Sequence, residues 1–154
     1  MMKRIKSFEV DHTKLRKGLY VSRYDTFALS CVTTFDLRMK TPYVDEPLKP
    51  ATAHTLEHCL ATYLRNTRKD VIYVGPMGCM TGFYVVLAGR KGRENIMQSL
   101  LEAFSWVLRT NSIPGATQVE CGNYTFMDLS DARREAAAYI EVLRSPTCGD
   151  HYEE

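Results

Sequence analysis

Residues 54–58 read His-Thr-Leu-Glu-His. On an α-helix the first and last of these lie one turn apart on the same face. Two imidazoles so placed can hold one divalent cation at ~2.0–2.1 Å. Glu57 falls on that side, as do Ala61 and Arg65, all within about 60° of a common direction on a helical wheel. Leu56, Cys59, Leu60, Tyr63 and Leu64 take the opposite side. The helix therefore has one face to bury and one to present. The chain has only four histidines, and two of them stand at i, i+4 beside a glutamate, a poor match for chance placement on a solvated helix. H-x-x-E-H is also the signature of the inverted zinc peptidases, so the motif specifies a metal before it specifies a reaction.

A catalytic site of this kind takes three protein ligands and keeps one position open. Cys121, in Glu120-Cys121-Gly122-Asn123, is the best candidate for the third ligand, because an irregular segment containing glycine can bring a side chain onto a site. Cys148 and His151 lie near a terminus expected to be loose. Cys59 belongs to the apolar side of the helix and Cys31 to the apolar side of a strand, so both read as core thiols. Cys79 stands in Pro76-Met77-Gly78-Cys79-Met80-Thr81-Gly82, a turn entering a strand. Glycines on either side allow other groups to approach, and loops on a rigid scaffold often carry reactive side chains. A buried free cysteine is the competing reading there, and spacing by itself slightly favours it.

Patterning predicts the elements that position these groups. Residues 31–39 alternate, with Cys31, Thr33, Phe35, Leu37 and Met39 on one side and Val32, Thr34, Asp36 and Arg38 on the other. That is a half-buried strand with Arg38 on its more polar face. Residues 40–50 hold three of the six prolines and read as a connector. A helix follows over 52–67, with Thr52 as its N-cap. Residues 70–75 and 80–88 read as two strands around the Pro76-Met77-Gly78 turn. Gly89 and Gly92 precede a helix whose stripe is Ile96, Leu100, Leu101, Phe104, Val107 and Leu108. Ser130 is expected to cap a last helix carrying Ala132, Ala136, Tyr139, Ile140 and Leu143, ended by Pro146. Strands and helices without regular alternation predict an α+β fold, a mainly antiparallel sheet with helices on one face.

The chain of 154 residues is the length of one domain, here residues 1–154. It can bury a sizeable core without disulfides or a structural metal. A net charge of +2 excludes a strongly basic nucleic-acid binder. No apolar run reaches the length of a membrane span, and the N-terminal MMKRIKSFEV has no apolar stretch of a secretory signal. Five cysteines, an odd number without a C-x-x-C pair, argue against a disulfide framework and for a cytoplasmic location.

Taken together, the motifs resemble the S-ribosylhomocysteine lyase (LuxS) family. The resemblance rests on His54-Thr55-Leu56-Glu57-His58, Pro76-Met77-Gly78-Cys79 with Thr81-Gly82, and Cys121-Gly122. Ser7-Phe8-Glu9-Val10-Asp11-His12, Phe35-Asp36-Leu37-Arg38, Lys49-Pro50 and Arg65 extend it, in order, from about residue 7 to about 145. It implies a LuxS-type fold and cleavage of the thioether of S-ribosylhomocysteine, giving homocysteine and 4,5-dihydroxy-2,3-pentanedione, the precursor of the quorum-sensing signal autoinducer-2. It implies one divalent metal per subunit on His54, His58 and Cys121, iron(II) natively and zinc or cobalt as alternatives. It assigns Cys79 and Glu57 to acid/base roles and Ser7, His12, Arg38 and Arg65 to positions near the substrate. It also implies a homodimer with shared active sites.

That chemistry suits these residues. Breaking a C–S bond by β-elimination needs a carbonyl beside the acidic carbon, so the sugar carbonyl must first migrate along the chain. Each step needs a Lewis acid for a developing oxyanion and a group that shuttles protons. No redox cofactor is called for, and no dinucleotide glycine motif is present. The sequence departs from the family pattern at Tyr73, commonly Asp, Gly75, usually Ser, Met80, a polar position, and Met127, often His. None of the four removes a ligand or an acid/base residue. A small H-x-x-E-H peptidase is the runner-up, but its third ligand is normally a downstream glutamate and it leaves Cys79 without a role. A non-catalytic homologue that only binds metal or ligand is the third reading.

Overall fold

The computed structural model describes residues 1–153. Strands β1 (Gly18–Phe27), β2 (Ser30–Arg38), β3 (Val71–Pro76) and β4 (Gly82–Ala88) form one sheet in the order β1-β2-β4-β3, every neighbouring pair antiparallel. Helices α1 (Pro50–Thr67), α2 (Arg93–Arg109) and α3 (Leu129–Arg144) complete it. Leu19, Phe35, Leu37, Phe83, Val85 and Leu87 of the sheet share one core with Leu56, Leu60, Ile96, Phe104, Ala136 and Tyr139 of the helices. The three helices therefore cover one face, the α+β arrangement that patterning predicts.

Strand β1 is the element that patterning did not predict. It carries the β-prone Leu19, Tyr20, Val21, Tyr24 and Phe27, but its link to β2 is only Ala28-Leu29. Ala28 adopts a left-handed φ of 49°. Tight hairpin turns need that conformation and usually take it from Asn or Gly, so the usual signal of the hairpin is missing.

Both expected helix caps shift by two or three residues. Lys49 is the N-cap of α1, with Pro50 just inside the helix, where its missing N–H costs nothing. Thr52 is instead buried, donating its hydroxyl to Asp131 at 2.6 Å. Asp128, not Ser130, caps α3 by accepting from the Asp131 amide. The amide of Asp128 in turn donates to Thr55 Oγ1 at 2.8 Å. These bonds tie the start of α3 to the first turns of α1, next to the His54–His58 pair.

Two further expectations are corrected. β2 is buried on both faces, with Thr34, Asp36 and Arg38 at most 3 % exposed. The C-terminal segment, which is not loose, covers part of that face at Asp36. Gly149 pairs in parallel with Gly18, its carbonyl accepting from Leu19 N at 2.9 Å. Tyr152 stacks on Tyr20 at 4.8 Å and donates its hydroxyl to Asp36 at 2.8 Å. The tail is a strap over the polar face of the sheet.

Candidate metal centre and reactive thiol

Helix α1 splits as its wheel demands. Leu56, Cys59, Leu60 and Leu64 are fully buried, while His54, Glu57, His58 and Ala61 are half-buried and Arg65 is exposed. His54 Nδ1 lies 2.8 Å from the carbonyl of Phe126, and His58 Nδ1 lies 2.7 Å from that of Pro114. A carbonyl can only accept, so both Nδ1 atoms are donors, and Nε2 is the ring atom left to serve as a ligand. Fixing the tautomer through the far nitrogen is how a protein orients histidine ligands. Gly115 sits against His58 with a left-handed φ of 65°, and a Cβ there would press on the ring at 3.3 Å. A side chain at 115 would thus disturb both the turn and the imidazole.

The irregular segment 110–128 folds back over α1 and brings Cys121 Sγ to 3.4 Å from His54 Nε2. The amide of Asn123 points at the same sulfur, 3.4 Å away. One ligand atom each from His54, His58 and Cys121 lie within 4.8 Å of one another. Ligands around one tetrahedral ion at ~2.0–2.3 Å stand roughly 3.3–3.8 Å apart, so the group fits a divalent cation with little movement. Glu57 and His58 line a cleft of about 330 Å³ with Ala61, Thr62, Pro114, Gly115 and Glu120.

Cys79 lies in a second cluster, at the β3–β4 turn. It is exposed, so it is not the buried core thiol that spacing favoured. Met80 takes a left-handed φ of 58° and turns the chain between Cys79 and Thr81. Gly82 pairs with Arg38 so closely that a Cβ would run into the carbonyl of Leu37, and that tight approach sets Thr81 beside Arg38. Arg38 Nη1 donates to Thr81 Oγ1 at 2.7 Å and lies 4.0 Å from Cys79 Sγ. Thr81 Oγ1 is 3.1 Å from the same sulfur. Partial burial pushes the Cys79 thiol up, but the Thr81 hydroxyl and amide and the Arg38 guanidinium outweigh it and hold it below its ordinary value. Arg38 is itself paired with Asp36, Nη2 to Oδ2 at 2.6 Å, both buried.

His12 lines the cleft at Cys79, about 380 Å³, together with Thr81 and the 42–47 connector. Arg65 donates one hydrogen bond to the carbonyl of Ile72 at 2.7 Å and lines neither cleft. Ser7 lies half-buried in a single 3-10 turn, Lys6–Phe8. The two clefts share no lining residue. Among the described residues, no hydrogen bond or ion pair joins the metal group to Cys79. Thr81 and Asp36 lie inside the motifs that carry the family resemblance but carry no expected role of their own, and Tyr152 has no local signal in the sequence.

A helix-backed antiparallel sheet carrying two oriented imidazoles and a converging cysteine defines an α+β protein with a group that could hold a metal ion. The chain belongs to the LuxS family, whose S-ribosylhomocysteinase (LuxS) model matches residues 5–147. An S-ribosylhomocysteine lyase of Desulfotalea psychrophila is 50% identical over 147 residues, 92% of each chain. One of Phocaeicola vulgatus is 43% identical over 156 residues, covering 98% of this chain and 97% of the relative. One of Borreliella afzelii is 41% identical over 148 residues, 94% of each.

Proposed function

We propose that this chain cleaves the thioether of S-ribosylhomocysteine, releasing homocysteine and 4,5-dihydroxy-2,3-pentanedione. The observation that carries the reading is the convergence of His54, His58 and Cys121 in a chain matched along nearly its whole length by the LuxS family. A divalent ion on those three ligands supplies Lewis acidity for oxygen atoms that gain negative charge, whether it is iron(II), zinc or cobalt. Cys79, whose thiol Thr81 and Arg38 make easier to ionise, takes a proton from one sugar carbon and returns it to the next, moving the carbonyl along the chain. Once the carbonyl stands beside the carbon that is β to sulfur, loss of a proton drives the elimination. The C–S electron pair leaves with sulfur, and Glu57, on the rim beside His58, moves the protons of these later steps. His12 is suited to a substrate hydroxyl at the Cys79 cleft, with Ser7, Arg38 and Arg65 as further substrate contacts.

The reading includes a homodimer. Cys79 and the cation must act on one five-carbon chain, yet they line separate clefts. Tyr43 and Val44 are exposed at the Cys79 cleft and Phe126 is exposed beside His54. A second copy covering them would enclose the substrate. Unpaired cysteines at all five positions support a cytoplasmic location, and among the described residues no helix is long and apolar enough to cross a membrane. The deciding experiment adds S-ribosylhomocysteine to metal-loaded protein and follows free thiol. Steady thiol release is expected, and its absence in protein with one bound metal per chain overturns the assignment. Sedimentation should give a dimer at micromolar concentration, and an active monomer would remove the shared-site part alone.

A further inference from the structure

Asp36 and Arg38 form an incomplete pair. Only Nη2 of the guanidinium meets only Oδ2 of the carboxylate, at 2.6 Å. Among the described residues, buried Asp36 Oδ1 and buried Arg38 Nε are both without a partner, although the two groups could meet in the two-pronged geometry that arginine and carboxylates favour. An unpaired buried acceptor and an unpaired buried donor are each costly, so something must hold the pair apart. The other contact on Asp36 comes from the C-terminal strap, where the Tyr152 hydroxyl donates to Oδ2 at 2.8 Å. The ring of Tyr152 is locked by stacking on Tyr20, at 4.8 Å and 9° between planes. Burial, and then the charge of Asp36, push the phenol well above its ordinary value, so it stays a donor throughout the working range of pH.

We propose that Tyr152 is a positioning residue for the Cys79 arm: its phenol holds the Asp36 carboxylate so that Arg38 reaches Thr81 and Cys79 instead of closing on Asp36. The strap, Asp36, Arg38, Thr81 and Cys79 are then one continuous chain of contacts, 2.8, 2.6 and 2.7 Å long up to Thr81 and 3.1 Å from there to the sulfur. The other titratable groups near the thiol are Tyr84 on β4 and His12, Asp45 and Glu46 around the cleft; His12 and Tyr84, the latter opposite Asp36 in the β2–β4 register, also act electrostatically with the Asp36 carboxylate, and both are unchanged by the test below. The catalytic consequence rests on the reading of Cys79 as the proton carrier, but the arrangement itself does not.

The test is Tyr152→Phe, which keeps the ring on Tyr20 and removes only the hydroxyl. Iodoacetamide labelling of metal-loaded protein, read at Cys79 by peptide mass spectrometry across pH, reports the thiolate without turnover. Freed from the phenol, Asp36 draws the guanidinium off Thr81, and labelling of Cys79 near neutral pH should slow about 3–10-fold, with its midpoint moved up by a matching amount. In an Asp36→Asn background, where nothing pulls the guanidinium, Tyr152→Phe should add nothing. A Cys79 profile unchanged by Tyr152→Phe overturns the proposal, and so does faster labelling, which would mean that Asp36 had been neutralised. Slower labelling with undiminished thiol release upholds the positioning role and removes Cys79 from proton transfer, so the two readings fail separately.

Discussion

The phenol of Tyr73 lies over Gly75 on β3, in the space that a β-carbon at 75 would need. The two residues flank Val74 just after a shift of register between Val71 and Tyr73. A side chain at 75 would have to displace the Tyr73 ring. Tyr73 is half exposed, so it can swing away.

Gly75→Ser alone should therefore cost less than about 1 kcal/mol. In a Tyr73→Asp background the same change should be neutral or stabilising, because glycine in a strand interior carries an entropic penalty. A double-mutant cycle by urea unfolding should give a coupling of at least ~0.5 kcal/mol. Additive effects would show that the two departures are independent.

The metal group makes a prediction about which cysteine matters. Cys121→Ala should lose the cation, whereas Cys148→Ala should keep it, since Cys148 accepts from Arg93 at 3.1 Å in the strap. Gly115→Ala should weaken metal binding without touching a ligand, because it strains the turn whose neighbouring carbonyl orients His58. Metal content by mass spectrometry of dialysed protein checks all three, and full retention in Cys121→Ala would exclude that ligand.

Cys79 and Glu57 should be dispensable for the cation and required for thiol release. Glu57→Gln and Cys79→Ala should keep fold and metal content and lose at least ~100-fold in rate. Cys79→Ser is the sharper variant, because a hydroxyl is nearly isosteric but far less acidic. Retained activity in that variant would leave the thiolate without a part in the reaction. Loss of metal in Glu57→Gln would move the carboxylate into the coordination sphere.

Cys59 makes the opposite prediction from Cys79. Its thiol is buried against the core, which pushes it up to about 11. The unfolded chain therefore releases this proton before the folded one does, so stability falls as pH rises from about 9 towards 11. Native protein at pH 8 should be labelled at Cys79 and spared at Cys59. The unfolding midpoint between pH 9 and 11 should fall less steeply in Cys59→Ala than in the parent protein; equal slopes would refute the linkage.

Periodicity along the chain was enough to determine the parts of this protein that depend on near neighbours. A helical repeat near 3.6 residues separates His54, Glu57 and His58 from Leu56, Cys59 and Leu60, alternation identifies β2, and residues 70–75 and 80–88 read as strands around the Pro76-Met77-Gly78 turn. Residue type and an irregular setting also singled out Cys121. Only the tertiary structure decided what depends on distant segments. Cys121 reaches His54 across 67 positions, and Tyr152 reaches Asp36 across 116. β1 is joined to β2 by a turn without the glycine or asparagine that normally announces one. Arg38 reads from sequence as a charge on the more polar face of a half-buried strand, and in the fold it is buried and paired with Asp36 and Thr81. A contact of this kind is set by how separate elements pack, and neither partner carries a local pattern that encodes the other.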